Sequence, residues 1–106
     1  MKYSLLRTDG FSIQLEDILD HVEKNYGNET TRKVLGRLKK SMKSIADNPY
    51  IGFEIASRVL IRTRWRALVV DKNIIFYIVD ETNKAIILCA IVDQRADYTD
   101  IIKELK

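Results

Sequence analysis

The stretch Ile74-Ile75-Phe76-Tyr77-Ile78-Val79, the polar turn Asp80-Glu81-Thr82-Asn83-Lys84 and the run Ala85-Ile86-Ile87-Leu88-Cys89-Ala90-Ile91-Val92 decide the fold of this chain. β-branched and aromatic residues dominate both apolar runs, each has strand length, and the turn between them is short, so they predict a buried β-hairpin. Directly after it stand Asp93-Gln94-Arg95-Ala96-Asp97-Tyr98. Ionisable side chains are thereby placed at the mouth of a sheet, where functional sites are commonly built.

Upstream of this hairpin, residues 58–71 alternate. Val59, Ile61, Thr63, Trp65, Ala67 and Val69 fall on one side, with Arg58, Leu60, Arg62, Arg64, Arg66, Leu68 and Val70 on the other, which predicts a third antiparallel strand over 58–71. Before it lie two amphipathic stripes. The first, Leu15, Ile18, Leu19, Val22 and Tyr26, starts from a candidate N-cap at Ser12 and stops at Gly27. The second runs from Asn28 through Val34, Leu35, Leu38, Met42 and Ile45, and ends at Asn48-Pro49. Lys2–Leu6 reads as a possible further strand closed by Asp9-Gly10, and Asp100–Lys106 as a short final helix capped by Thr99. The expected architecture is a single α+β domain over residues 1–106. A helical hairpin packs on a small antiparallel sheet in the order β-α-α-β-β-β-α.

Composition narrows the function classes. With 46% hydrophobic and 31% charged residues the chain reads as a globular domain, and no apolar run approaches the length of a membrane span. The N-terminus lacks the apolar core of a signal peptide, so a cytoplasmic location away from membranes is expected. One cysteine, Cys89, excludes an internal disulfide and reads as a small hydrophobe on a strand. The single His21 falls on the polar side of a helix and has no partner for a zinc site. The net charge is only +3, but it is unevenly spread. Residues 1–30 hold three basic and six acidic side chains, whereas residues 31–66 hold ten basic and two acidic ones.

Within that cationic half, Arg62, Arg64 and Arg66 recur at period two with Arg58 nearby, a spacing of roughly 7 Å along a strand. Guanidinium groups at this spacing suit phosphates; they also suit a solvated face whose arginines pair with carboxylates. Arg95 and Tyr98 form a second candidate group, in which Asp97 is an alternative partner for Arg95. No phosphate-cradling glycine loop, metal-ligand spacing or nucleophile with a histidine base is present in the sequence.

These features together resemble the RelE/ParE superfamily, the toxins of type II toxin–antitoxin pairs. The resemblance is carried by the paired helices, Asn48-Pro49 followed by Gly52, the arginine-bearing strand, Phe76-Tyr77-Ile78-Val79-Asp80, and Ile91-Val92-Asp93-Gln94-Arg95-Ala96-Asp97-Tyr98. It implies a small toxin held inactive by a cognate antitoxin, acting either by cutting mRNA on the ribosome, as RelE-like members do, or by inhibiting DNA gyrase, as ParE-like members do. For the first activity, Arg64, Arg66, Arg95 and Tyr98 resemble the catalytic positions, with Arg58 and Arg62 as additional RNA-phosphate contacts. The implied endoribonuclease chemistry needs no metal or other cofactor. A ribose 2′-hydroxyl attacks the adjacent phosphate, the arginines stabilise the developing charge, and Tyr98 moves the proton. Ribonuclease members commonly have an arginine where this chain has Asn73 or Ile74, and many have a histidine where it has Asp93. A non-catalytic module that binds an acidic partner is the remaining reading of the arginine face.

Overall fold

The computed structural model describes residues 3–56 and 63–94, which form β1 (Ser4–Arg7), α1 (Asp9–Asp47), β2 (Phe53–Glu54), β3 (Arg66–Val70), β4 (Asn73–Asp80) and β5 (Ala85–Asp93). The five strands make one sheet in the order β1-β5-β4-β3-β2. β1 runs parallel to β5, and every other pair is antiparallel.

The segment α1 is two helices joined at a kink and forms a hairpin in space. Thirty-nine helical residues would span about 58 Å at 1.5 Å per residue, yet the molecule's longest extent is 39 Å. The reversal is at Gly27, whose φ of 85° and ψ of 175° lie outside helical space and are readily accessible to glycine. The expected helical pair is therefore present, with a first arm over residues 9–26 and a second over 28–47. Asn48 terminates the second arm, its N–H bonding the Ser44 carbonyl.

Two expected boundaries shift. The N-cap is Thr8, not Ser12: its Oγ1 accepts from the Phe11 N–H at 3.1 Å, so Asp9-Gly10 opens the helix instead of closing a turn. Thr8 also holds the helix start to β5. Its N–H bonds the Leu88 carbonyl and its hydroxyl donates to the Cys89 carbonyl at 3.1 Å, where a bulge interrupts the β4–β5 register. Gln14 Oε1 accepts from the Ile91 N–H two residues on. The second shift is in the arginine strand, which begins at Arg66. At 63–65 the chain is not strand, because the Thr63 hydroxyl takes the Trp65 N–H at 3.1 Å in place of a ladder partner. Residues 57–62 lie outside the described residues, as does the expected terminal helix at 100–106. The sheet gains two strands over the expected meander: β1, which the sequence offered as a possibility, and the two-residue β2.

Buried side chains lie on both faces of the sheet. Phe11, Leu15, Leu38 and Ile45 of the hairpin pack on Ile75, Tyr77, Ile86, Leu88 and Ile91. On the opposite face Ile55, Trp65, Ala67, Ile74, Phe76 and Ala90 form a second cluster, with the Trp65 and Phe76 rings 5.6 Å apart. Burial of β4 on both faces explains why Ile74–Tyr77 is apolar without alternation. Cys89, the extra residue of the bulge, is half-buried beside the second cluster, and burial pushes its thiol up to about 11.

Candidate functional site

Two polar assemblies stand at opposite ends of the sheet. The first is a clamp on the loop after α1. Tyr77 is completely buried; its hydroxyl donates to the Pro49 carbonyl at 2.7 Å and accepts from the Gly52 N–H at 3.0 Å. A side chain at position 52 has no room, since a Cβ there would meet the Ala67 carbonyl and stand 2.8 Å from the Tyr77 hydroxyl. The pattern Asn48-Pro49 followed by Gly52 is thus explained as a helix stop, a buried acceptor and a close backbone approach.

Arg66 completes this clamp. Its side chain is only 14% exposed, with Nη2 donating to the Gly52 carbonyl at 2.5 Å and to the Tyr50 carbonyl at 3.3 Å. Nη1 reaches Glu54 at 3.4 Å, the guanidinium lies over the Tyr50 ring, and the buried Nε finds no acceptor among the described residues. The Tyr50 hydroxyl in turn donates to Glu81 at 2.6 Å, and Glu81 accepts from Tyr3 at 2.8 Å. The two donated hydrogen bonds hold the Glu81 carboxyl below its usual value, and the same bonds to the Glu81 carboxylate raise both phenols above theirs. Arg64 is exposed just before β3.

The second assembly is a groove of about 660 Å³ between the two arms of α1, the β3–β4 turn and the end of β5. Ile18, Val22, Val34, Leu38 and Val70 supply its apolar surface. Charged groups edge it: Asp17, Lys72, Asp93, and Arg37, whose Nε pairs with Asp71 at 2.8 Å. His21 also lines it, its Nδ1 lying 3.3 Å from Asn25 Nδ2. The hairpin stripes announce these apolar residues. Their meeting with Asp71 and Asp93 depends on tertiary packing alone.

Of the site residues expected from sequence, Arg64 and Arg66 are among the described residues. β5 ends level with the end of β3, with Asp93 opposite Asn73 and Asn73 opposite Val70. Arg66 stands four positions away along β3, about 13 Å at strand rise. Arg58, Arg62, Arg95 and Tyr98 lie outside the described residues. Asn73 and Asp93 are cross-strand partners, and Ile74 is buried in the second cluster.

A helical hairpin closed over a five-stranded sheet, with β1 parallel to β5 at one edge, defines a small α+β domain. The family description "ParE toxin of type II toxin-antitoxin system, parDE" matches residues 5–98. The chain belongs to this family. Among solved structures, the chromosomal ParDE system of P. aeruginosa is similar at a TM-score of 0.70 and 21% identity, over 87% of this chain and 96% of that one. The isolated E. coli RelE toxin follows at 0.59 and 11% (96% and 97% covered), and the intact E. coli RelBE complex at 0.57 and 12% (90% and 98%). No curated protein matches the chain in sequence.

Proposed function

We propose that this toxin acts on DNA gyrase and is neutralised by a cognate antitoxin. The family match over residues 5–98 favours the ParE activity, and the observation that carries the choice is the engagement of Arg66. A guanidinium already bound to the Gly52 and Tyr50 carbonyls and to Glu54 has to leave its own loop before it meets an RNA phosphate. The Asn73–Asp93 pair adds a carboxylate where a phosphate-cutting site gains from cations.

The groove between the arms suits an amphipathic segment of the antitoxin. Its apolar interior buries a hydrophobic stripe, and its rim of both charges sets register. Ribosome-dependent mRNA cleavage is the second reading, supported by the likeness to the E. coli RelE fold and by the exposed Arg64. In it, Arg64, Arg66, Arg95 and Tyr98 remain the nominated catalytic residues, with Arg58 and Arg62 as RNA contacts. Induced expression in a bacterial host, with parallel mapping of RNA ends and of gyrase-linked DNA breaks, separates the two. Gyrase-linked breaks without new in-frame mRNA ends support the proposal; codon-phased mRNA ends without such breaks overturn it.

A further inference from the structure

The two arms of α1 present opposite charge to solvent. On the first, Asp9, Ile13, Glu16, Asp20 and Glu23 recur every three or four residues and all are exposed, Ile13 at 59%. On the second, Arg32, Gly36, Lys39 and Lys43 recur in the same way, the charged members flanked by exposed Lys33 and Lys40. Exposed Gly36 lies in their midst, with nothing within 4 Å of where a Cβ would stand. Both rows lie opposite the stripes that pack on the sheet, Leu15 with Ile18 on one arm and Leu38 with Ile45 on the other. Among the described residues these rows form no ion pair with each other. Among the described residues the one ion pair at this face is that of Lys33 with Glu29, within the second arm, at 3.9 Å.

We infer that this outer face of the hairpin is a self-association surface, through which two copies of the chain pair with the acidic arm of each laid over the basic arm of the other. The geometry allows one arrangement and opposes its alternative. Reversal at Gly27 sets Glu23 level with Thr31–Arg32 and Glu16 level with Leu38–Lys39. A two-fold axis parallel to the arms keeps those levels and exchanges the arms, so Glu23 meets Arg32 and Glu16 meets Lys39 of the second copy. An axis perpendicular to the arms lays acid on acid and base on base, which is repulsive. Ile13 supplies apolar area within the acidic row, and Gly36 leaves a gap in the basic row for Asp20 of the second copy to approach.

The complementary surface thus exists on the chain itself. A nucleic-acid backbone fits less well. Packed helix axes lie about 8–10 Å apart, so phosphates on the basic arm sit close to the acidic one, at about the screening length of physiological salt.

Sedimentation equilibrium of the full chain, over a range of concentrations at low and high salt, tests the inference, with circular dichroism confirming that each variant is folded. Wild type is expected to dimerise at low salt and to weaken roughly tenfold or more at about 1 M salt, where screening falls to about 3 Å. Reversing one arm with Arg32→Glu and Lys39→Glu, or the other with Glu16→Lys and Glu23→Lys, is expected to abolish the dimer in either variant alone. An equimolar mixture of the two variants is expected to restore it as a heterodimer. A wild type that stays monomeric at every concentration overturns the inference, and so does a dimer unmoved by either reversal. A monomeric wild type that instead binds short duplex DNA with strong salt dependence assigns the basic arm to nucleic acid.

Discussion

Replacing Tyr77 with Phe removes one oxygen from the interior and leaves two backbone groups behind. The Pro49 carbonyl loses its 2.7 Å donor and the Gly52 N–H loses its 3.0 Å acceptor. Both residues are buried and Tyr77 has no exposed surface, so the space left is the size of a hydroxyl with no route for water. An unsatisfied buried donor or acceptor costs about 1–3 kcal/mol. Two of them place the loss at roughly 2–6 kcal/mol, a large part of the 5–15 kcal/mol of a typical domain. At about 4–8 °C per kcal/mol for a domain near this size, the melting temperature falls by roughly 8 °C or more. Urea unfolding followed by circular dichroism reads the change as a lower midpoint with an unchanged slope. Tyr50→Phe, which also loses one phenolic hydrogen bond but at the surface, serves as the control and is expected to shift far less. A Tyr77→Phe midpoint equal to wild type refutes the argument that this hydroxyl holds the loop after α1.

Three further outcomes follow from the same end of the sheet. Gly52→Ala drives a Cβ against the Ala67 carbonyl and the Tyr77 hydroxyl, and is expected to cost about 3 kcal/mol or more in the same unfolding assay; a neutral result contradicts the close approach. Arg66→Ala removes the charged donor to Gly52 and Tyr50, for a loss of roughly 2 kcal/mol, and limited proteolysis is expected to open the loop at 50–54; a variant of full stability contradicts the clamp. The Glu81 tether has a pH window. A carboxyl lowered by its Tyr50 and Tyr3 donors stabilises the folded state above the unfolded pKa, and this is lost as pH falls through the lowered value. The raised Tyr3 and Tyr50 phenols contribute fully below 10.0 and progressively less as pH rises through their raised values. The tether therefore holds across neutral pH, and an ultraviolet tyrosinate titration in which Tyr3→Phe and Tyr50→Phe each remove a phenol ionising at or below 10.0 contradicts it.

What the sequence discloses follows from which forces are local. The β4–β5 hairpin is legible because burial on both faces leaves an uninterrupted apolar run, and the Asp80-to-Lys84 turn because Asp80 binds the Asn83 backbone and side chain. Gly27 is legible as the reversal of the helical pair because its φ of 85° is the kind of conformation that glycine supplies. The helix start is not, because Thr8 and Ser12 are both competent caps and the choice is made by Leu88 and Cys89, some eighty residues away. Among the described residues, period two overstates the strand at 63–65, where the Thr63 hydroxyl outcompetes the ladder for the Trp65 N–H.

The arginine row shows the same limit at the level of function. Spacing alone reads Arg64 and Arg66 as equivalent cations, but loop geometry puts Arg66 among carbonyls and leaves Arg64 in solvent. Carbonyl acceptors carry no signature in a one-letter sequence. The groove is hidden for a related reason: its walls come from both arms, one turn and a strand end, which only the fold brings together. The order of motifs nonetheless points to the right superfamily, since Pro49, Gly52 and Tyr77 are bound by one set of hydrogen bonds and steric limits.

Purified gyrase tests the central claim most directly. The refolded chain, added to gyrase, ATP and relaxed plasmid, is predicted to stop supercoiling and to accumulate cleaved DNA covalently linked to the enzyme, with both effects reversed by the antitoxin. Undisturbed supercoiling, together with cutting of mRNA in a ribosome-programmed reaction containing the same preparation, contradicts it.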